Sequence, residues 1–150
     1  MEQVTFKDIK KSKEVNAYIY KGNSTLGVLG YTDHSAEHAV KVSSMAGKIL
    51  ECLGYGGHTV ELAKIAGYMH DIGNCVNRLD HPHSGALMAH QILRDMKMDY
   101  EDIAVIINAI GMHDEKSGGA VDTVSAALIL ADKTDVRRDR VRNQNNAAYT

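Results

Sequence analysis

The chain has 150 residues, a formal net charge of −2, two cysteines, one proline and no tryptophan. This length fits a single domain that buries about two-thirds of its unfolded surface. The near-neutral charge gives no reason to expect binding to nucleic acid or to an anionic membrane, and two isolated cysteines exclude a disulfide framework. Because the chain has no signal-like apolar start and no apolar run approaching about 18 residues, we predict a cytoplasmic protein.

Apolar residues recur with helical spacing along most of the chain, and no stretch alternates convincingly with a period of two. The sequence therefore predicts an all-α fold, a bundle of about six to seven helices. In chain order, we expect helices over residues 5–20, 33–53, 59–71, 82–97, 99–110 and 123–134. The first should end at Gly22, and a glycine-spaced loop should then run to Gly30. Asp33 and Asp122 are suited to N-cap positions, and Pro82 to the first turn of its helix.

The same pattern predicts one domain over residues 1–150, with a core at about 31–140. Residues 1–30 should form an N-terminal helix and loop. The polar segment 143–150 fits either a loose terminus or a connection to further chain. The oligomeric state stays open, a homodimer included.

Two adjacent ionisable residues, His70 and Asp71, stand at the end of an apolar helical run and just before Gly73. A buried carboxylate without a partner costs several kcal/mol, so Asp71 needs a strong partner, a shifted pKa or access to solvent. A divalent metal is such a partner, and imidazole beside carboxylate suits zinc, iron, manganese or nickel. A satisfied surface pair is the commoner origin of a single His-Asp dipeptide. The inference therefore depends on further ligands elsewhere.

Helical phase places other candidate ligands on buried faces. His38 precedes Val42 by one turn and falls within the apolar stripe of its helix, and His34 lies one turn earlier on the same face. Asp132 follows Leu128 at the inner end of the last apolar stripe. These positions predict side chains directed toward the core.

The later helices separate inward histidines from outward ones. His81 precedes Gly85 by one turn and aligns with a buried stripe, whereas His83 and His90 point about 160–180° away from it. His113 extends an isoleucine stripe, provided that its helix continues through the preceding glycine. We therefore expect the first and last of these histidines to face inward, and the other two to lie on the surface.

Any one inward histidine is more often a hydrogen-bonded core residue than a ligand, and Asp132 alone more often caps a helix or joins a salt bridge. Together, however, these groups would leave several buried polar atoms unsatisfied without a common partner. One metal centre built from facing helices satisfies them jointly. The candidate ligands are His34, His38, His70, Asp71, His81, His113 and Asp132.

The order and local sequence of these residues resemble the HD-domain superfamily of metal-dependent phosphohydrolases. Met69–Gly73 is similar to the LHDIG signature of the family, His38–Val42 to its first-ligand helix, and Ala131–Asp135 to its final motif. His81–Ala86 and His113–Glu115 are similar to segments of members with two metals. The resemblance implies an HD-type helical bundle over nearly the whole chain.

The resemblance also implies a metal site and a reaction. The implied ligands are His38, His70, Asp71, His81, His113 and Asp132. His38 is assigned rather than His34 because its spacing to Val42 matches the family motif. Six ligands exceed what one four-coordinate zinc needs and suit two metals bridged by Asp71. The expected cofactors are one or two divalent ions, either a transition metal (Mn, Fe, Co, Ni or Zn) or Mg. The implied reaction is attack of a metal-activated hydroxide on a phosphate ester. His34 is a candidate orienting residue or proton donor, and Lys133 is a further catalytic candidate.

Phosphate also needs fixed positive charge outside the metal ligands. Lys133 directly follows a predicted ligand, Arg137 and Arg138 lie in the arginine-rich segment after it, and Arg78 lies in the loop before His81. These four residues are the phosphate-binding candidates. The competing interpretation is a solvated helix end, where cations interact favourably with the macrodipole.

The leading hypothesis is a hydrolase of a small phosphate ester, a nucleotide or related metabolite, with no nucleic-acid or membrane partner. Two alternatives stay open. A dinuclear-iron oxygenase of the same superfamily has a similar ligand set. A non-catalytic metal- or nucleotide-binding regulatory module is kept open by Asn74, where many relatives have lysine. No GYP motif follows His113, which argues against the cyclic-di-GMP phosphodiesterase subgroup.

Overall fold

The computed structural model describes residues 3–114 and 116–136. Within these ranges the chain forms seven α-helices, one short 3-10 helix and no strand, which confirms the predicted all-α fold. The α-helices are α1 (Phe6–Lys10), α2 (Lys13–Leu29), α3 (Ala36–Cys52), α4 (Gly57–Met69), α5 (His81–Asp95), α6 (Tyr100–Met112) and α7 (Thr123–Thr134), and the 3-10 helix is Ile72–Cys75. Glu115, Arg137, Arg138 and the polar tail lie outside the described residues.

The first thirty residues correct the prediction of one helix over 5–20 followed by a loop to Gly30. The structure has two helices there, and α2 continues almost to that glycine. A new helix begins after Ser12, whose side chain accepts a hydrogen bond from the backbone N–H of Val15. The glycines inside α2 do not end it, because burial of one apolar face outweighs a propensity cost of about 1 kcal/mol per glycine.

Gly22 brings α2 close to the 3-10 helix that follows the His-Asp pair. A Cβ atom at this position would lie 3.0 Å from the backbone nitrogen of Cys75 and 3.1 Å from Cβ of Asn74. The two segments therefore approach so closely that a side chain at this position would force its neighbours to shift by a few tenths of an ångström. This contact helps to fix the segment that carries Asp71.

The start of α3 also differs from the prediction. Ser35, not Asp33, occupies the N-cap position, and the Asp33 carboxylate instead accepts a hydrogen bond from the Ser35 hydroxyl. His34 therefore precedes the helix rather than lying on its inner face. Its backbone N–H donates to Oδ1 of Asn23 at 2.8 Å, which ties this segment to α2.

Helices α6 and α7 begin at the aspartates that the sequence indicates. Asp99 accepts a hydrogen bond from the N–H of Glu101, and Asp122 forms a capping box with Ser125. Helix α6 continues through its glycine to Met112, as the inward position of the next histidine requires. In the bundle, α3 packs against α4 and α7, and α5 packs against α6 and the 3-10 helix. Among the described residues, no helix combines the length and the apolar character needed to cross a membrane.

Replacement of Gly73 should lower the free energy of unfolding more than replacement of any other described glycine, because the backbones of the 3-10 helix and α5 are in contact here. A Cβ atom there would lie 2.0 Å from the carbonyl oxygen of His81 and 2.6 Å from the nitrogen of Gly85. Gly73→Ala should therefore lower the free energy of unfolding by at least about 1–3 kcal/mol, measured by denaturant titration of the metal-free protein. Gly57→Ala is the matched control, since its added Cβ would meet open space. Equal stability of the two variants would contradict this close-packing argument.

Candidate metal centre

Four of the predicted ligands come together from α3, α7 and the segment after α4. Nε2 of His38 lies 3.3 Å from Oδ2 of Asp71 and 3.2 Å from Oδ1 of Asp132. Nε2 of His70 lies 3.0 Å and 3.4 Å from the same two oxygens. Atoms that share one metal at about 2.0–2.2 Å, with tetrahedral or octahedral angles, are about 3.0–3.5 Å apart. The spacing of this group, which we call the first ligand group, therefore fits a shared metal ion.

The other carboxylate oxygen of Asp71 faces two further histidines. Oδ1 lies 3.4 Å from Nε2 of His81 and 3.7 Å from Nε2 of His113, and these two nitrogens are 3.1 Å apart. We call these three side chains the second ligand group. The Asp71 carboxylate thus lies between the groups and directs one oxygen to each, as a bridging carboxylate must.

Each of the four histidines is oriented by a hydrogen bond at Nδ1. For His70, His81 and His113 the partner is the backbone carbonyl oxygen three residues earlier, at 2.7, 3.1 and 2.6 Å. For His38 the partner is Oδ2 of Asp135, at 2.7 Å. Donation from Nδ1 leaves the lone pair of Nε2 directed toward the ligand groups.

Within the part of the chain that the structure describes, three buried atoms at the centre have no hydrogen-bond partner: Nε2 of His38, Nε2 of His70 and Oδ2 of Asp71. Buried polar atoms are nearly always hydrogen-bonded. Three neighbouring atoms without a hydrogen bond therefore indicate a shared ligand that is not a protein group. A divalent cation coordinates both imidazole nitrogen and carboxylate oxygen. The residues present therefore fit a metal centre.

The electrostatics of the cluster also favour a cation. Burial lowers the pKa of His70, but the carboxylates of Asp71 and Asp132 outweigh this effect and raise that pKa well above its ordinary value. Burial raises the pKa of Asp71, yet the neighbouring His70 and His34 hold it well below its ordinary value. The cluster therefore favours positive charge between its carboxylates, and protons compete with a metal ion for that position.

His34 stands beside these groups without belonging to either in the described part of the chain. Its Nδ1 contacts the carbonyl oxygen of Thr32 at 2.7 Å, and its ring is 5.4 Å from the ring of His38. Burial lowers the pKa of His34 to about 4, so the imidazole is neutral at pH 7. Since Nδ1 donates to that carbonyl, Nε2 of the neutral ring carries a lone pair rather than a proton.

The two histidines predicted to face outward lie away from both ligand groups. The side chain of His83 is 57% exposed, and His90 is partly exposed. Neither belongs to a potential metal-binding group among the residues that the structure describes. The predicted rotation of α5 about its axis, with His83 and His90 directed away from the ligand groups, is therefore confirmed.

A pocket of about 760 Å³ reaches Asp71 and both ligand groups. Its lining includes three cationic residues, Arg78, Lys116 and Lys133. Two of these were predicted from sequence, whereas Lys116 was missed because it lies in a loop without periodicity. Asp135, the partner of His38, was also missed as a site residue.

Residues 35–141 of the chain match the HD domain family. The chain belongs to the HD-domain superfamily of metal-dependent phosphohydrolases. Every residue of the two ligand groups falls inside the matched range.

Individual relatives of this HD protein are distant. An uncharacterized protein of Methanocaldococcus jannaschii is 29% identical over 163 residues, which cover 93% of this chain and 62% of the relative. Ribonuclease Y of Enterococcus faecalis is 30% identical over 119 residues, or 79% of this chain and 21% of that enzyme. The chain thus spans less than two-thirds of the first relative and about a fifth of the second.

A solved structure shows the same fold. The crystal structure of a predicted HD superfamily hydrolase from an uncultured Thermotogales bacterium aligns with a TM-score of 0.61 at 22% sequence identity. The alignment covers 81% of this chain and 66% of that chain. This likeness confirms the HD-type arrangement of helices.

The contact between Asp135 and His38 should be measurable as metal affinity. Asp135→Asn removes the negative charge that orients His38 and increases its basicity, so we expect about 10–100-fold weaker metal binding with the fold retained. Competition with a coloured chelator gives the affinity. The control is Asp102→Asn, because Oδ1 of Asp102 makes a similar 2.8 Å contact with the exposed His58. Unchanged affinity in Asp135→Asn would show that this contact does not support the metal site.

Proposed function

We propose that this HD protein is a metal-dependent phosphohydrolase that cleaves a small phosphate ester, a nucleotide or related metabolite, at a dinuclear site. The observation that carries the proposal is the position of Asp71, which directs one oxygen to each ligand group. The same pocket contains three cationic side chains. Ligands for two metals and positive charge for phosphate are thus present in one cavity.

The two ligand groups would divide the metals between them. The first group would hold one ion, and His81 and His113 would hold the second, with Asp71 shared. When bound, two divalent ions lower the pKa of water and neutralise charge that develops on the phosphoryl oxygens. Because the Nδ1 hydrogen bonds already orient the histidines, the ligands need little reorganisation.

The remaining pocket residues would bind the substrate and move protons. The Arg78 guanidinium donates from Nη1 to Oδ1 of the buried Asn74, at 3.2 Å, which restrains it within the pocket lining. Together with Lys116 and Lys133 it offers charge-assisted hydrogen bonds to phosphate. Because Nδ1 of neutral His34 donates to the Thr32 carbonyl, Nε2 would act as an acceptor, either orienting a water through a hydrogen bond or taking up a proton. The predicted roles of Arg137 and Arg138 stay predictions, since both lie outside the described residues.

A second candidate is hydrolysis of phosphodiester bonds in RNA. It is supported by the likeness to ribonuclease Y, which extends over 79% of this chain. The same pocket chemistry would serve both reactions, because each requires activated water and neutralised phosphoryl oxygens. Substrate size distinguishes them.

The test is reconstitution of the metal-depleted protein with manganese, cobalt, iron or zinc, followed by assays on mononucleotides, cyclic nucleotides and an RNA oligonucleotide. We expect phosphate release from mononucleotides that chelation abolishes and metal restores, with about two metals per chain by elemental analysis. Cleavage of RNA alone would favour the second candidate. Iron-specific oxygen consumption without phosphate release would indicate an oxygenase instead. Nucleotide binding without turnover would indicate a regulatory module.

A further inference from the structure

Three exposed apolar side chains share the lining of the same pocket, outside both ligand groups. Leu29 ends α2, Tyr31 follows it, and Leu79 lies in the loop before α5. Their exposed fractions are 58%, 37% and 76%. Single exposed apolar residues are ordinary on a protein surface, but these three border one cavity. We call them the apolar rim.

Arg78 is attached to this rim. Its guanidinium carbon lies 5.6 Å from the centroid of the Tyr31 ring. Its edge is restrained by Asn74, a residue with only 1% exposure. The rim therefore combines an aromatic ring with an oriented guanidinium plane. These are the two kinds of side chain on which nucleobases stack.

The pocket continues from the rim to the metal centre. Its lining includes Tyr31 and Leu79 together with Asp71, Asp132 and Lys133, so a single ligand can reach both regions. A volume of about 760 Å³ accommodates more than a phosphate group. The lining thus combines apolar side chains and an aromatic ring with charged side chains. A ligand that matches both carries a flat ring system joined to a phosphate.

We propose that the apolar rim, with the Tyr31–Arg78 pair at its centre, is a stacking site for the nucleobase of a nucleoside phosphate. The inference rests on the proposed function, because it assigns the phosphate of that ligand to the metal centre. The rim is thereby a specificity determinant: it favours esters with a planar ring over sugar phosphates that lack one.

Two probes that differ only in the base test this site. They are the 5′-methylenephosphonate analogues of adenosine monophosphate and of ribose 5-phosphate, in which carbon replaces the scissile oxygen. Calorimetry on the manganese-loaded protein should show at least about tenfold tighter binding of the adenosine compound. Tyr31→Ala should abolish this preference and leave the affinity for the ribose compound unchanged. Tyr31→Phe should retain it, because the ring remains, and so should Tyr20→Ala, which removes an exposed tyrosine of α2 outside the pocket.

Equal affinity of the wild-type protein for both probes, or a preference that survives in Tyr31→Ala, would overturn the stacking site. Phosphate release from adenosine 5′-monophosphate by the wild-type protein tests the hydrolase proposal separately. Tyr31-dependent binding without phosphate release would refute hydrolysis and leave the stacking site standing. Phosphate release without a Tyr31-dependent preference would refute the stacking site and support hydrolysis.

Discussion

Asp71→Ala should abolish metal binding and phosphate release, because it removes a carboxylate whose two oxygens contact the two ligand groups. Oδ2 contacts His38 and His70 at 3.3 and 3.0 Å, while Oδ1 faces the other two histidines. Loss of a shared ligand should therefore empty both positions. The metal-free variant should be as stable as the metal-free wild type or more stable, since an unfilled cluster of buried acid and imidazole groups is costly.

Elemental analysis and denaturant titration test the two halves of this prediction. Asp95→Ala serves as the control, because Asp95 is an exposed residue of α5 that accepts a hydrogen bond from Gln91 and lies outside the pocket that contains the ligand groups. It should keep both the metal content and the activity of the wild type. Retention of two metals per chain in Asp71→Ala would refute the bridging role.

His81→Ala and His113→Ala should each remove one metal and leave the first ligand group occupied. Among the described residues, both Nε2 atoms lie close to Oδ1 of Asp71 and to each other, although His113 also lies close to His70 and Asp132. His38 and His70 instead contact Oδ2 of Asp71 and Oδ1 of Asp132. Activity should fall at least about 100-fold, which is the usual effect of removing one group that stabilises the transition state. Metal content should fall from about two ions per chain to about one.

The matched controls are the two outward histidines of α5, the helix that carries His81. His83→Ala and His90→Ala should change neither metal content nor turnover by more than a small factor, because neither side chain belongs to a ligand group in the described structure. Loss of a metal in His83→Ala, with none lost in His81→Ala, would contradict the rotation of α5 and the ligand set built on it.

Local spacing explains why much of this site could be predicted. His38, His81 and Asp132 lie on regular helices or at their first residue, where a rotation of about 100° per residue relates each of them to an apolar stripe. His113 was predictable only if α6 passed through Gly111, and the helix does so. The cap residues Asp99 and Asp122 act on backbone N–H groups two or three residues away, so short sequence signals were sufficient there.

Predictions failed where burial outweighed local preference. The glycines of α2 indicate a loop when read as isolated residues, but one of them permits the close contact with the 3-10 helix. Asp33 has the chemistry of an N-cap, yet its carboxylate bonds the Ser35 hydroxyl and the helix starts later. As a result, His34 belongs to a loop tied to Asn23 rather than to the face of a helix.

The sequence by itself determined the helical class and indicated which histidines and aspartates face inward, because both depend on spacing within single segments. Its motifs also resembled those of the HD-domain superfamily. Only the tertiary structure decided how that set divides into two groups on either side of Asp71. It alone revealed the hydrogen bond between His38 and Asp135, which are 97 residues apart in the chain. It also placed the Arg78 guanidinium over the Tyr31 ring in the lining of the same pocket. Such contacts arise from the packing of separate helices and loops, and no periodicity along the chain records which segments will meet.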